Sequence, residues 1–168
     1  HIAATLLVTV LQPVVMGQVA GDWISHPPER QEFTSPSGEF LLTIATTDAW
    51  RSVHPQAELF STTAGTRTRI WQRPLPQEYG PRDVLVGDGG DVLLLDEWTN
   101  VMSGYAVMLI DRRNRIVTQR SFKDVETVVG VPLGPIVSEE RSGFWMGGPP
   151  TLDAAANRAV VPTVAKRN

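Results

Sequence analysis

The chain has 168 residues, of which 42% are hydrophobic and 20% are charged, a balance that excludes a disordered chain and a polytopic membrane protein. Its 14 glycines and 13 prolines follow no strict repeat, which excludes collagen and favours many short strands over long helical bundles. A formal net charge of −3 provides no basic footprint for nucleic acid, and the lack of cysteine excludes disulfides, a thiol nucleophile and thiolate metal sites.

The first element along the chain is an apolar segment, because no charged residue occurs from residue 2 to residue 20. We expect residues 1–21 to form a helical unit that anchors the chain in a membrane or docks it on a partner. A signal-like segment and a buried strand pair turning at Gln12 and Pro13 are the alternatives. A helix of this length, at about 1.5 Å per residue, comes close to the roughly 30 Å hydrocarbon core of a bilayer. The side chains predicted to touch the membrane are Leu6, Leu7, Val10, Leu11, Val14 and Val15.

Residues 22–168 are predicted to form a single β domain, because β-branched and aromatic residues occur in short runs bounded by Gly, Pro, Asp and Asn. The turn at residues 35–38 leads into a predicted strand at 39–44. Three hairpins follow, with strands predicted at 57–61 and 67–71, at 83–86 and 91–96, and at 105–110 and 115–119.

A short helix is predicted after the last hairpin. Ser121 is a good N-cap, Asp124 lies near the favourable N-terminal end of the helix dipole, and Gly130 is typical of a helix end. The following residues, 130–150, are rich in Pro and Gly and predict a long loop around a short aromatic strand.

The predicted strands form an internal repeat with a period of about fifty residues. Residues 35–42 match residues 87–94, Leu59-Phe60-Ser61 and Ile70-Trp71 match Met108-Leu109-Ile110 and Ile116-Val117, and a weaker third copy begins at Asp153. Such a period, with about four strands in each unit, is typical of propeller blades. Two or three blades cannot close a ring. We therefore expect antiparallel sheets arranged as two to three incomplete propeller-like blades, and any exposed edge would invite a partner. A small sandwich and a flattened barrel are the alternatives.

The order of several short motifs resembles that of a broad set of uncharacterised bacterial exported proteins. A strand that ends in Asp96-Glu97-Trp98, the pair Gly104-Tyr105, a strand that ends at Asp111 and the segment 121–125 follow one another as they do in that set. The resemblance spans about residues 30–165. It implies a propeller-like β fold and export from the cytoplasm, and it implies no activity.

The acidic residues at and beside the second hairpin are candidates for metal binding or catalysis. Asp88 and Asp91 flank glycines as in a tight turn and lack the spacing of a calcium loop, so turn chemistry is favoured over calcium binding. Asp96 and Glu97 are neighbours in a strand, and alternation should send them to opposite faces, so that one acid points inward without the other. Asp96 is then predicted to be a structural acceptor for a loop amide near Trp98. No histidine spacing indicates a metal site, and no catalytic residue or cofactor is predicted.

The aromatic residues are the candidates for interaction with other molecules, because Trp and Tyr are enriched at interfaces. The candidates are Trp23, Trp50, Trp98, Tyr105 and Trp145. The alternative is that these large side chains close the core at strand ends.

The leading functional hypothesis is a non-catalytic structural or accessory subunit. It would lie on the periplasmic side of the cell envelope, docked on a membrane-associated assembly of other protein subunits, and would bind no nucleic acid. The first alternative is an exported module that binds a small ligand or a glycan. The second is a carboxylate-based hydrolase centred on Asp96 and Glu97.

Overall fold

Short antiparallel strands dominate the computed structural model, which describes residues 25–99, 101–130, 145–153 and 158–163. Within these ranges the strands are β1 (Arg30–Thr34), β2 (Phe40–Ala45), β3 (Gln56–Ser61), β4 (Thr68–Pro74), β5 (Pro81–Val86), β6 (Val92–Glu97), β7 (Val107–Ile110), β8 (Ile116–Arg120), β9 (Thr151–Asp153) and β10 (Arg158–Val160). The α-helix α1 (Phe122–Val129) follows β8, and a short 3-10 turn (Thr63–Gly65) joins β3 to β4. The predictions for the apolar segment, including its membrane-contacting side chains, and for Trp23 lie outside the described residues.

The strands form two four-stranded sheets in which each strand pairs with its neighbour in the chain. The first sheet has the order β1-β2-β3-β4, the second has the order β5-β6-β7-β8, and β9 and β10 form a separate hairpin. All of these pairings are antiparallel, and no sheet formed by the described strands closes on itself. The prediction of a mainly β fold with antiparallel sheets is confirmed.

Local sequence accounts for the turns and the helix. Gly38 and Gly90 take the positive φ values of 75° and 82° that their turns require, which a residue without a Cβ adopts at little cost. Ser121 caps α1, since its side chain accepts a hydrogen bond from the Asp124 N–H while the Asp124 carboxylate accepts one from the Ser121 N–H. Gly130 ends the helix in the left-handed conformation, so the predicted helix is confirmed at both ends.

The main core lies between the two sheets, which pack face to face. The first sheet and the residue after it contribute Phe40, Leu42, Ile44, Ala57, Leu59, Trp71 and Leu75, and the second sheet contributes Val86, Val92, Leu94, Met108 and Ile110. Full burial of a large aliphatic or aromatic side chain stabilises the folded chain by roughly 1.5–3 kcal/mol, so this cluster is the main source of stability.

A second core covers part of the opposite face of the second sheet, which we call the far face. Leu94 belongs to the main core, and its neighbour Leu95 belongs to the second core, because successive strand residues point to opposite faces. The other buried members of this second core are Ala106, Phe122, Val125 and Trp145. Helix α1 and Trp145 thus cover part of the far face.

The two sheets share a residue-by-residue register. Leu42 of β2 pairs with Leu59 of β3, and a bulge follows Leu59; in the second sheet Leu93 of β6 pairs with Leu109 of β7, and a bulge follows Leu109. Leu42 and Leu59 face the second sheet, whereas Leu93 is adjacent to Leu94 and lies on the far face. Equivalent residues therefore point in the same direction along the stack of sheets.

This register shifts the alignment of the repeat by one residue in the second and third strands of each sheet, and in the third strand Leu59 aligns with Leu109 and not with Met108. Residues 35–40 connect the pair Thr34–Leu41, whereas residues 87–91 connect the pair Val86–Val92, so the first connection is one residue longer. Matching the turns by their glycines equates Leu42 with Leu94. Both side chains lie in the core between the sheets, so they point in opposite directions along the stack. Pairing and bulges equate Leu42 with Leu93.

The outward face of the first sheet is polar where the second sheet is apolar. Thr43, Glu58 and Phe60 occupy the positions of Leu94, Met108 and Ile110 in that register. Glu58 forms an ion pair with Arg69, Glu32 forms ion pairs with Arg30 and Arg67, and the Arg67 guanidinium also lies over the ring of Phe60. These contacts leave the face charged and partly exposed.

Candidate functional site

Asp96 and Glu97 are both buried, contrary to the expectation that only one of them could point inward. The reason is the backbone of Asp96, whose φ of 54° lies in the left-handed region and interrupts the alternation of side chains along β6. A non-glycine residue with this conformation stores strain, which commonly marks a constrained or functional position.

The two acids have different partners. Oδ1 of Asp96 accepts a hydrogen bond of 2.7 Å from the indole nitrogen of Trp145, whereas Oε2 of Glu97 accepts one of 3.2 Å from the backbone N–H of Glu78. The donor to Asp96 is therefore an indole from the segment that covers the far face, where the sequence predicted a loop amide near Trp98. The arrangement directs the two carboxyl groups to separate structural contacts.

Burial raises the pKa of Asp96 to about 6. The Trp145 hydrogen bond and the charge of Arg82 act in the opposite direction, while the charges of Asp83 and Glu97 add to the increase. The second carboxyl oxygen, Oδ2, is buried and has no hydrogen-bond partner among the described residues. Asp96 is thus a buried acid that changes its charge close to neutral pH.

Glu97 lies in a second polar environment at the same strand end. Burial raises its pKa, and the Ser103 hydroxyl and the Glu78 N–H oppose the increase. Gln77, which precedes Glu78 in the sequence, is fully buried. Neither its Oε1 nor its Nε2 has a hydrogen-bond partner in the described part of the structure. The hydrolase hypothesis for Asp96 and Glu97 stays a prediction.

Two of the predicted interaction residues hold the first described residues against the body of the fold. The Trp50 indole is buried and donates to the Pro27 carbonyl over 2.8 Å, and the Trp98 indole donates to the Ser25 carbonyl over 2.6 Å. The rings of Trp50, His26 and Tyr79 lie together, with centroids 5.1–6.4 Å apart. These indoles contact the chain's own backbone, so a role toward another molecule stays a prediction.

The remaining aromatic candidates pack inside the fold. Tyr105 is half-buried against the main core, and Trp145 is buried in the second core. Trp71, which was not a candidate, also lies in the main core. Among the described tryptophans, Trp71 and Trp145 therefore pack in the cores, and a role of the candidates toward another molecule stays a prediction.

The acidic turn at residues 88–91 joins the two sheets. Oδ1 of Asp88 accepts a hydrogen bond of 2.7 Å from the Ser37 N–H in the turn of the first sheet, and this contact holds the pKa of Asp88 below its usual range. The Gly87 N–H donates to the Asp91 carbonyl, which closes the turn. Within the described ranges, no group of three or more metal-ligating side chains is arranged to hold an ion.

Strand β8 is the least protected edge of the two sheets. Ile116 and Val117 are 44% and 57% exposed on it. By contrast, β4 carries two arginines and ends at Pro74, β1 carries the ion pair between Arg30 and Glu32, and β5 packs beside β1 and β2. Charged residues and proline on an edge oppose strand addition. Strand β8 carries one charged residue, Arg120, at its end, and begins with the two exposed β-branched aliphatic residues.

A cleft of about 250 Å³ lies on the far face between the second sheet and the hairpin of β9 and β10. Its lining is mostly aliphatic: Leu85, Gly87, Asp91, Leu93, Leu109, Leu152 and Ala159. The cleft is near the exposed part of β8, since Val92 pairs with Ile110 and Ile110 pairs with Ile116 at this end of the sheet. We refer to it as the far-face cleft.

The sequence matches no protein-family model, no curated protein and no solved structure. Among the residues whose structure is described, no helix combines the length and the apolar character needed to cross a bilayer.

Proposed function

We propose that this chain is a non-catalytic accessory subunit that binds another protein through strand β8 and the far-face cleft. The occupant we infer is an extended segment of the partner with alternating aliphatic side chains. It would pair with the backbone of β8 and place its side chains beside the cleft, a mode of recognition known as strand addition.

The single observation that carries this proposal is the shared register of the two sheets. Leu42 and Leu59 of the first sheet are completely covered by the second sheet. Their equivalents, Leu93 and Leu109, are only partly buried and line a cleft, because β9 and β10 supply two strands where the first sheet is covered by four. The far face of the second sheet therefore resembles the face of the first sheet that packs in the main core, but fewer strands cover it.

The exposed edge supports the same surface. Thr118 pairs with Leu109, so the two side chains lie on the same face of the sheet. A strand added beside β8 would therefore extend the face that the cleft occupies. The exposed Ile116 and Val117 would gain apolar contacts at the same end.

The cleft is better suited to aliphatic side chains than to a glycan. Its volume of about 250 Å³ is below the roughly 300–1,000 Å³ that is usual for small-molecule pockets. Its lining among the described residues contains no tryptophan and is mainly leucine. These features favour the accessory-subunit hypothesis over a glycan-binding module.

The propeller-like arrangement and the location in the cell envelope belong to the same proposal. Sheets stacked in one direction, with equivalent residues facing the same way, support propeller-like blades. The uncharged segment from residue 2 to residue 20 and the resemblance to exported proteins support docking on a membrane-associated assembly.

The test uses the full chain and a short synthetic peptide that alternates Val and Thr. We expect the peptide to slow hydrogen exchange of the β8 amides. Val117→Lys should weaken binding about tenfold or more, because an edge lysine opposes strand addition. Val128→Lys is the matched control, since Val128 is 86% exposed on α1, outside the proposed surface.

Two results would overturn the proposal. One is equal binding by the Val117→Lys and Val128→Lys variants. The other is equal binding by a peptide of the same composition in which the valines and threonines are grouped, because grouping removes the side-chain alternation that strand addition requires.

A further inference from the structure

A second groove lies between the two sheets, at the side where β4 faces the turn that joins β7 to β8. It has a volume of about 560 Å³ and is lined by Ile70 and Trp71 of β4 and by Arg112, Arg113 and Asn114 of the turn. It is separate from the far-face cleft, since the two have no lining residue in common.

Two side chains of β4, Trp71 in the groove lining and Arg73 outside it, have buried hydrogen-bond donors without acceptors. Trp71 is only 6% exposed, and its indole N–H has no partner among the described residues. The Nε–H of Arg73, two residues along β4, is also buried without a partner there. Both groups are hydrogen-bond donors only. Burying a donor without an acceptor is costly, so an acceptor from a bound molecule would stabilise this site.

The turn adds positive charge to the groove. Arg112 and Arg113 are both exposed, and the Arg112 guanidinium lies 5.0 Å from the centre of the Phe40 ring. The Asp111 carboxylate on the same turn is already engaged by Arg115, with contacts of 2.6 and 2.7 Å, and by two backbone N–H groups. The Asn114 side-chain oxygen accepts from Arg73 over 3.3 Å. The acceptors of this turn are therefore in use, while two arginine charges remain beside the groove.

We propose that this groove binds an oxyanion, the carboxylate or phosphate group of a small molecule. The Trp71 indole donates to one of its oxygens, and Arg112 and Arg113 neutralise its charge. Guanidinium groups suit such ligands because their planar donors match carboxylate and phosphate oxygens. The Trp71 donor is buried in the structure, so binding requires the groove wall to open locally at this residue.

The experiment follows the indole N–H resonances of the ¹⁵N-labelled full chain, with the Trp71 signal assigned from Trp71→Phe. Inorganic phosphate and acetate are titrated separately, and sodium chloride at equal ionic strength is the control. We expect the Trp71 resonance to move saturably with phosphate or acetate and not with chloride. Movement with phosphate alone assigns a phosphorylated ligand, with acetate alone a carboxylate, and with both an oxyanion site without preference.

Charge variants test the role of the turn. Arg112→Gln combined with Arg113→Gln should weaken the apparent affinity about tenfold or more, because two guanidinium charges are lost. Arg67→Gln combined with Arg69→Gln removes the same charge from the outward face of the first sheet and should leave the affinity unchanged. The proposal is overturned if no saturable shift occurs, if chloride reproduces it, or if the two double variants bind alike.

Discussion

Trp145 and Asp96 are joined by a hydrogen bond of 2.7 Å between the indole nitrogen and Oδ1, although they lie 49 positions apart in the sequence. The bond ties the segment that covers the far face to the end of β6. It is formed with a carboxyl group whose pKa is raised to about 6 and whose other oxygen has no partner in the described ranges. The strength of this attachment should therefore depend on pH.

Asp96→Asn should remove a component of the pH dependence of stability. The pKa of Asp96 is about 4 in an unfolded chain and about 6 in the folded one, so the folded state binds the proton more tightly. Stability from this group is fully present below pH 4 and is lost as pH rises through 6, by on the order of 3 kcal/mol. Asparagine stays neutral, can accept from Trp145 and tolerates the positive φ.

Denaturant unfolding at pH 4 and pH 7.5 measures this effect. We subtract the free energy of unfolding of Asp96→Asn from that of the native chain. This difference should be smaller at pH 7.5 than at pH 4. A constant difference would mean that Asp96 does not titrate in this range. Taking the difference cancels the carboxyl groups that both proteins share.

Trp145→Phe should destabilise the fold more at pH 7.5 than at pH 4.5. A hydrogen bond to a charged group is worth about 1.5–3 kcal/mol and a neutral one about 1 kcal/mol, so the loss should grow by roughly 1 kcal/mol as Asp96 ionises. Trp50→Phe is the matched control, because its indole donates to the neutral carbonyl of Pro27. Equal pH dependence in the two variants would argue against the charged hydrogen bond.

Gly90→Ala should destabilise the protein far more than Gly38→Ala. Both glycines have a positive φ, which costs alanine about 1 kcal/mol. A Cβ at Gly90 would also lie 2.9 Å from the Phe40 ring, whereas one at Gly38 would meet nothing within 4 Å. We expect a further loss of about 2 kcal/mol for Gly90→Ala in thermal or denaturant unfolding. Similar losses in both variants would show that the turn glycine is not packed against the ring.

Ser121→Ala should lower stability by about 1 kcal/mol, because it removes the side chain that caps the Asp124 N–H. Thr127→Ala, an exposed position in the same helix, should change stability little because alanine favours helices. Unfolding by denaturant compares the two variants. An equal effect would mean that the cap contributes no more than an ordinary helix position.

The parts of this fold that depend on neighbouring residues could be predicted from the sequence, and those set by distant contacts could not. The turn glycines and the pair Ser121 and Asp124 act within a few residues, so the hairpins and α1 were predicted. Strand β1 was missed, since Phe33 is the only large apolar residue among Arg30–Thr34. Its strand conformation comes from pairing with β2.

The candidate sites were less accessible from the sequence. The burial of both Asp96 and Glu97 depends on one residue with a left-handed backbone, which a rule of strict alternation cannot anticipate. The groove beside Trp71 combines β4 with a turn about 40 residues later, so only the packing of the two sheets reveals it. The sequence alignment of the two sheets is one residue out in their second and third strands, and in the second strand the reason is that the two connections differ in length.

The charged outward face of the first sheet has a consequence for how copies of this chain meet. The far face of the second sheet lies at the other end of the stack of two sheets. It is a partly covered apolar surface of the kind that accepts a neighbouring sheet, so the stack has two unlike ends. Two complementary unlike ends on one molecule would join head to tail without closing and would grow into a filament. We expect Glu58, Arg69 and Glu32 to oppose such growth, since docking would bury their charges. The ion pairs would then act against polymerisation, whatever they contribute to the stability of the single chain.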